Sequence, residues 1–424
     1  MNNIIQFGKE MKNKKFTLAN YLIKFAAIVL LVAFFAACED DPTDSVYKEK
    51  PLGDTPVITS VNPPATALAG ITEITITGSN FSTIPENNFV QFNNRVAKVL
   101  SATSTSLTVK APNYVKDTVY LFIGVHKVAN FSDSVQYSLK AGVADFYAFK
   151  DFEHPYAITN DKNNVLYFSL VADNIAKGIN KITGGLVTNF APKGGETFYN
   201  AIKYGPNDKI YGVRGVRAIF EITAGAAPAT YAVAASSTVK FYDLDFDVDK
   251  NMWAGGDGGS LFRIKLDKSL KQFNFTPVVN SLRIYDGYVY VATGNAGEAK
   301  IRKMQIINAD SLGAEEIYFD FSANFPLTKP TAITFSSDGV LYIGTNAELI
   351  NDKALIAVNP DKTFKYVYTG LINGPVLNFA WGTGNNLYYS RQKVVDAAAN
   401  LLQKQMIVRV DLEKTGAPYY GRGN

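Results

Sequence analysis

Between residues 56 and 139, apolar and polar residues alternate in short runs. The clearest run is Ile-Thr-Ile-Thr at 74–77, and the same alternation recurs around Val90, Leu107 and Val119. A period of two residues places every second side chain on one face, which indicates half-buried β-strands. Because several such strands follow one another with turn residues between them, this segment is predicted to be a β-sandwich.

From residue 140 onward, the chain repeats one pattern six times. Each copy has a hairpin-turn signal and then an apolar residue followed by an aromatic one. The aromatic residues are spaced 44, 42, 37, 52 and 46 apart: Tyr167, Tyr211, Trp253, Tyr290, Tyr342 and Tyr388. One apolar strand precedes each copy and up to two more follow it. Six four-stranded units at this period predict a six-bladed β-propeller, whose blades bury their faces against one another. Since these rings recur in each unit, we expect them to pack between the blades.

The last unit lacks a fourth strand of its own. Residues 143–149 (Val-Ala-Asp-Phe-Tyr-Ala-Phe) stand ahead of the first unit, where a fourth strand belongs. We therefore predict that this segment is the outer strand of the last blade and closes the ring without a covalent link.

Two motifs in residues 56–139 resemble a known family. They are Pro-Val-Ile-Thr-Ser-Val-Asn-Pro at 56–63 and Ile-Thr-Ile-Thr-Gly-Ser-Asn-Phe at 74–81. With Val-Lys-Ala-Pro at 109–112, they resemble the IPT/TIG family of immunoglobulin-like domains, which implies a spacer without catalytic residues. In the second segment, Gly-Asn-Ala-Gly at 294–297 and Tyr-Ile-Gly-Thr-Asn at 342–346 resemble NHL repeats. The predicted fold class is all-β, an immunoglobulin-like sandwich followed by a six-bladed propeller.

The first forty residues have the pattern of a targeting segment. Five lysines stand in residues 1–37, which end in an uncharged apolar run of 13 residues at 25–37. That run is too short to span a bilayer and is typical of a signal-peptide core. It leads into Phe35-Ala36-Ala37-Cys38, which resembles the lipobox of bacterial lipoproteins, and Cys38 is the only cysteine. The alternative is an ordinary signal peptide or membrane anchor with an incidental cysteine.

The acidic residues Glu39, Asp40 and Asp41 resemble the export tag of Bacteroidota-type surface lipoproteins. Four segments are thus predicted: a lipoprotein signal peptide at 1–37, an acidic flexible tether at 38–55, an IPT/TIG domain at 56–139 and the propeller at 140–424. The expected location is the outer membrane, facing the cell surface, with the protein bound to lipid through Cys38.

Charge and composition exclude several function classes. The chain has 42 Lys and Arg against 38 Asp and Glu, and residues 1–37 hold the whole excess. A neutral remainder has no electrostatic footprint for nucleic acid. One cysteine and two histidines, His126 and His154, exclude a disulfide framework and a cysteine-cluster metal site. No cofactor is expected.

The candidate ligand residues open the innermost strands and share one face of the ring. Aromatic residues there would stack on sugar rings, while amides and a carboxylate would bind the hydroxyl groups. The predicted set is Tyr156, Phe198, Tyr199, Asn200, Phe241, Tyr242, Asp243 and Asn378. The alternative for each ring is packing between blades. Asp243, Asp245 and Asp247 lie on one face of a predicted strand. They are expected to form either a cation site or a polar channel face solvated by water.

The function predicted from the sequence is non-catalytic binding of a poly- or oligosaccharide by a cell-surface lipoprotein, with an uptake complex or surface protein as a possible partner. The first alternative is a protein-interaction scaffold on the cell surface. The second is a propeller hydrolase or lyase, which the sequence favours least because it has no nucleophile elbow and no paired metal ligands.

Overall fold

The computed structural model describes residues 21–26 and 53–420. Residues 21–26 are helical, whereas Cys38 and the acidic residues after it lie outside the described residues, as does most of the predicted tether. None of the helices in the described part is both long and apolar enough for a membrane span. The chain divides into two compact units. One includes residues 53–55 and 127–131, where the N–H of Gly53 donates to the carbonyl of Lys127 at 3.3 Å.

The second unit begins at residue 56 with a sandwich of two sheets. Its nine strands are β1 (Val57–Asn62), β2 (Thr66–Leu68), β3 (Glu73–Ser79), β4 (Asn88–Phe92), β5 (Arg95–Val96), β6 (Lys98–Ala102), β7 (Ser106–Lys110), β8 (Lys116–Val125) and β9 (Val135–Lys140). One sheet has the order β1-β3-β7-β6 and the other β2-β9-β8-β4-β5. A 3-10 turn, Pro85–Asn87, precedes β4. The alternating apolar residues, such as Ile76 and Val90, are fully buried between the sheets, as the period of two predicts.

Six further sheets form the propeller. After β10 (Val143–Asp145), the first three blades are β11 (Glu153–Asn160), β12 (Leu166–Ala172), β13 (Ile175–Thr183) and β14 (Leu186–Ala191); β15 (Ala201–Gly205), β16 (Lys209–Val213), β17 (Ala218–Ile222) and β18 (Ala229–Val233); and β19 (Lys240–Phe246), β20 (Met252–Asp257), β21 (Ser260–Ile264) and β22 (Leu270–Asn274). A 3-10 turn, Pro206–Asp208, joins β15 to β16. Each strand pairs antiparallel with the next.

The remaining three blades are accompanied by additional short strands and a short helix. Blade four has β23 (Val279–Tyr285), β24 (Tyr288–Thr293), β25 (Lys300–Asn308), β26 (Ser311–Leu312) and β27 (Glu316–Phe319), followed by a short helix, Phe321–Asn324. Blade five has β28 (Pro330–Phe335), β29 (Leu341–Thr345), β31 (Leu355–Val358) and β32 (Phe364–Tyr366). Blade six has β34 (Val376–Trp381), β35 (Asn386–Arg391) and β38 (Met406–Asp411). Small ribbons are added by β30 (Leu349–Ile350) with β33 (Asn373–Gly374) and by β36 (Val394–Val395) with β37 (Leu401–Gln403), and a 3-10 turn, Asp352–Ala354, precedes β31.

The predicted ring closure is confirmed. Strand β10 pairs antiparallel with β38, with Val143 opposite Val410 and Asp145 opposite Val408. The closing strand is shorter than the predicted residues 143–149, but the N–H of Phe146 still donates to the carbonyl of Ile407 at 2.7 Å. The last blade therefore takes its outer strand from the start of the propeller.

The recurrent aromatic residues pack as predicted, since all six are buried. In three blades the ring on the second strand contacts a ring on the first strand of the next blade: Tyr211 with Phe246 at 5.3 Å, Tyr290 with Phe335 at 4.7 Å, and Tyr342 with Trp381 at 5.4 Å between centroids. Such pairs add about 0.5–1.5 kcal/mol beyond the burial of their area. The period of the sequence thus reflects the contacts that recur between neighbouring blades.

After β38, a carboxy-terminal strap (residues 415–420) crosses one mouth of the propeller channel. Its Gly416 forms a β-bridge with Ser336 of blade five, and the Tyr419 hydroxyl donates to the Trp381 carbonyl at 2.7 Å. The ring of Tyr420 reaches Phe246 of blade three at 5.5 Å. The strap therefore contacts three blades and covers the mouth where the first strands end.

Candidate functional site

The opposite mouth, where the first strands begin, is a pocket of about 410 Å³. All six blades contribute to it: Tyr156, Ala157, Phe198, Tyr199, Asn200, Tyr242, Asp243, Asn280, Lys329, Thr331, Leu377, Asn378, Gln392, Lys393 and Gln405. Blades one to three supply the rings, and blades four to six supply most of the amides and both lysines. Seven of the eight predicted ligand residues meet here. The exception is Phe241.

A repeated irregularity of the first strands turns side chains toward this pocket. In five blades the register between the first and second strands shifts at the start of the first strand: between Pro155 and Ile158, Phe241 and Asp243, Val279 and Ser281, Pro330 and Ala332, and Val376 and Asn378. The residues at these shifts (Tyr156 and Ala157, Tyr242, Asn280, Thr331 and Leu377) all line the pocket. A β-bulge of this kind redirects a side chain that plain alternation would place elsewhere.

The aromatic half of the pocket is centred on one ring pair. Tyr156 and Phe198 stack with centroids 4.2 Å apart and planes 12° apart, and both are half-buried. Burial raises the pKa of Tyr156, so its hydroxyl stays protonated at neutral pH. Tyr242, on the next blade, is also half-buried. These three rings keep part of their surface open to a ligand.

Two predicted rings belong to the core instead. Phe241 has no exposed surface and packs edge-on against Phe262 at 5.2 Å. Tyr199 is 1% exposed and lies edge-on to Phe220 at 6.2 Å. The Tyr199 hydroxyl has no hydrogen-bond partner among the described residues, and burial raises its pKa. For these two residues, the alternative of packing between blades is the one that the structure adopts.

Asp243 lies on the floor of the pocket with both carboxylate oxygens engaged. It is 2% exposed. Its Oδ2 accepts from Ser281 Oγ at 2.7 Å, from the Leu282 N–H at 2.9 Å and from Arg283 Nη1 at 3.0 Å, while Oδ1 accepts from the Leu244 N–H at 2.9 Å. A charged pair that is buried and hydrogen-bonded in this way holds two blades in register and is costly to break. The carboxylate predicted to bind hydroxyl groups thus joins blade three to blade four.

Other polar side chains join neighbouring blades in the same way. Asn378 Oδ1 accepts from the Ile158 N–H at 3.3 Å, Thr159 Oγ1 from the Tyr204 N–H at 3.0 Å, and Ser281 Oγ from the Ile333 N–H at 3.1 Å. Each bond satisfies a backbone donor of the next blade. These contacts explain why the channel wall is polar although it is buried.

The three aspartates of this row are buried and accept hydrogen bonds from protein groups. Asp245 Oδ2 accepts from the Ile284 N–H at 3.0 Å, and Asp247 Oδ2 accepts from Trp253 Nε1 at 2.9 Å. Burial raises the pKa of Asp245, against the opposing charges of Arg283 and Lys203. Burial and Arg283 lower the pKa of Lys203 to about 8. In the described part of the chain, no three His, Cys, Asp or Glu side chains are grouped so as to hold a metal ion.

The polar half of the pocket contains residues that sequence reasoning missed. Lys329 precedes β28, and Gln392 and Lys393 follow β35 in the segment that leads to β38. Asn280 Nδ2 donates to the Gly294 carbonyl at 2.7 Å, and Gln405 Nε2 donates to the Pro155 carbonyl at 2.7 Å. These bonds fix the two amides at the rim. The length of the loop between β35 and β38 was the sequence signal that could have located Gln392 and Lys393.

His154 lies beside this pocket, in the second position of β11 rather than in a loop before it. Burial and the nearby charge of Lys393 lower its pKa, so the imidazole is neutral at pH 7. Among the pocket-lining residues, the one carboxylate is Asp243, which Arg283 holds. The lining therefore offers stacking surfaces, amides and ammonium groups.

Comparison with known proteins agrees with this architecture. The family profile described as "IPT/TIG domain" matches residues 56–139. A search of curated proteins returned no match. Similar solved structures include a luciferin-regenerating enzyme (16% identity, TM-score 0.53, covering 66% of this chain and 98% of that one).

Two others are an auxiliary nutrient binding protein from Bacteroides thetaiotaomicron (10% identity, TM-score 0.48, covering 84% and 97%) and a catalytically inactive variant of virginiamycin B lyase from Staphylococcus aureus with quinupristin (14% identity, TM-score 0.45, covering 64% and 99%). At these identities the likeness concerns the fold alone. The resemblance to NHL repeats stays a prediction. The chain consists of an IPT/TIG immunoglobulin-like sandwich followed by a six-bladed β-propeller.

Proposed function

We propose that this chain is a non-catalytic, lipid-anchored cell-surface protein that binds an oligo- or polysaccharide at the open mouth of its propeller. The observation that carries the proposal is the composition of the pocket. The stacked pair Tyr156 and Phe198 and the ring of Tyr242 face an arc of amides across a cavity of about 410 Å³. Rings bind the apolar face of a pyranose, and amides both donate to and accept from its hydroxyl groups.

The size and rigidity of the site support the same proposal. Ligand pockets have volumes of about 300–1,000 Å³, and this one is near the lower end, which suits a few sugar units. Its walls are strand ends joined by hydrogen bonds such as those from Asp243 to blade four. The pocket therefore loses little conformational entropy when a ligand binds. The lining has no free carboxylate for acid–base chemistry, which favours binding over hydrolysis.

The test is a glycan titration of the full chain in detergent, with Phe198→Ala, Tyr156→Ala and, as control, Tyr120→Ala. Tyr120 is half exposed on the sandwich, away from the pocket. We expect the first two variants to lose affinity roughly 5- to 150-fold, by analogy with the loss of about 1–3 kcal/mol when a stacked base loses its ring. The control should bind as the parent does, and a chelator should have no effect.

Equal affinity of all three variants would contradict the proposal, as would the absence of binding to any glycan. Co-purification of a protein with the full chain, without glycan binding, would favour the scaffold alternative. Chelator-sensitive turnover of a glycan would favour the hydrolase or lyase.

A further inference from the structure

We propose that the pocket selects an anionic saccharide, one whose carboxylate or sulfate group binds between Lys329 and Lys393. This inference rests on the proposed function, because it names the class of sugar that the same pocket takes. Lys329 enters the pocket from blade five, and Lys393 enters it from blade six, which adjoins the blade that carries Tyr156.

Neither ammonium group is neutralised by the protein. Among the described residues, no carboxylate oxygen lies within 4 Å of Lys329 Nζ or Lys393 Nζ, whereas Lys404 in the same loop as Lys393 pairs with Asp151 at 2.5 Å. Lys329 is half-buried, so its charge is only partly screened by water, whereas Lys393 is exposed. An unpaired charge in a partly closed cavity attracts a counter-charge more strongly than one on an open surface.

The carboxylate in the pocket does not cancel these charges. Asp243 is buried on the floor and already pairs with Arg283 at 3.0 Å, on the channel side. The remaining lining residues are neutral. The side chains that line the pocket thus leave two positive charges that an anionic ligand can neutralise.

Lys393 also interacts electrostatically with a residue beside the pocket. Its charge contributes, after burial, to the lowered pKa of the neighbouring His154. The amide of Asn280 is half-buried and fixed by its hydrogen bond to the Gly294 carbonyl, and it can bind a hydroxyl group of the ligand. The pocket therefore combines stacking rings with two ammonium groups, and an acidic sugar can use both.

The experiment compares three ligands that share one backbone: α-1,4-galactotriose, the same trisaccharide sulfated at O6, and trigalacturonate. Each is titrated into the full chain in detergent at about 50 mM and about 500 mM NaCl. The variants are Lys329→Gln, Lys393→Gln and the double variant, with Lys365→Gln as control, since Lys365 is exposed on the outer strand β32. Melting curves of each variant show that the fold is kept.

We expect the anionic ligands to bind at least about 10-fold more tightly than the neutral one at low salt and to lose that advantage at high salt. The double variant should bind all three equally, and Lys365→Gln should bind as the parent does. Preference for trigalacturonate over the sulfated ligand identifies a carboxylate as the recognised group, and the reverse preference identifies a sulfate.

Equal binding of the neutral and anionic ligands, unchanged in the double variant, would overturn the anion preference. The proposed function would stand in that case, because Phe198→Ala would still weaken binding of the neutral ligand. If neither these ligands nor any glycan in the broader titration binds the parent chain, both proposals are wrong.

Discussion

Tyr199 and Tyr242 lie at the starts of neighbouring blades but one position apart within the repeat: Tyr199 corresponds to Phe241, and Tyr242 corresponds to Asn200. Tyr199 is 1% exposed and packs inward over Gly212, where an added Cβ would lie 2.6 Å from the ring. The first strand of blade three has a bulge just at Tyr242, which leaves that ring half exposed. A single residue of register therefore decides whether a tyrosine stabilises the core or faces the pocket.

This difference predicts opposite results for two alanine substitutions. Tyr199→Ala should lower the free energy of unfolding by about 3–5 kcal/mol, because it leaves a cavity between blades. Tyr242→Ala should lower it by less than about 1 kcal/mol, since the ring is partly solvated. Denaturant titration of both variants measures the two losses. Similar losses in both would show that the two rings have the same packing role.

Lys203 predicts a dependence of stability on pH. Its pKa falls from 10.5 to about 8 in the folded protein, through burial and the charge of Arg283. Between these two pH values the unfolded chain binds a proton that the folded protein does not, so the free energy of unfolding rises as the pH increases through this window. Tyrosines with raised pKa values act in the opposite direction only above about pH 10.

Unfolding free energies at about pH 7.5 and about pH 9.5 should therefore differ in the parent and much less in Lys203→Met. Lys365→Met, which changes an exposed lysine, serves as the control and should keep the parental rise. A parental rise that Lys203→Met also keeps would assign the effect to another group.

At the scale of strands, the repeat predicted all six blades. Hairpin turns and the recurrent aromatic residue mark the second strand, and the apolar positions on both sides of it mark its neighbours, because blade packing needs the same residue at the same place in each copy. The sequence could not predict the bulges, since their positions depend on pairing between strands and not on composition. It also could not predict that Asp243 meets Arg283, because that contact joins residues from different blades.

The closing strand allows a direct test with a matched pair of fragments, one starting at Lys140 and one at Asp151. The longer fragment keeps β10, which pairs with β38, whereas the shorter one leaves β38 as an exposed edge. We expect the shorter fragment to melt about 5 °C lower or more, which corresponds to about 2 kcal/mol for a chain of this size, or to aggregate. Equal melting temperatures would mean that β10 adds nothing to the stability of the ring.

At the scale of the whole molecule, the proposed location depends on Cys38, outside the described residues. Cys38→Ala should leave the precursor unprocessed or release the protein from the membrane fraction, because the thiol is the proposed site of lipid attachment. Cell fractionation with and without detergent measures this outcome. Cleaved protein that still needs detergent for release would contradict lipid attachment at this residue.

Replacing Glu39, Asp40 and Asp41 with alanine tests the surface location separately. If these acidic residues direct export, the variant should resist protease added to whole cells, while Asp44→Ala should stay sensitive. Equal sensitivity of both variants would show that the acidic residues have no part in export.

The carboxy-terminal strap has a consequence for the kind of glycan that can bind. Because Tyr419 and Tyr420 are held against blades six and three, and the buried Lys203, Asp245 and Arg283 lie beside them in the channel, the channel narrows here to a cavity of about 30 Å³ and is not an open tube. A polysaccharide therefore cannot thread through the ring. Under the proposed function, a glycan therefore binds only from the face that holds the pocket, so the number of ends, branches and segments that can reach this face should set how many protein molecules one polymer can hold.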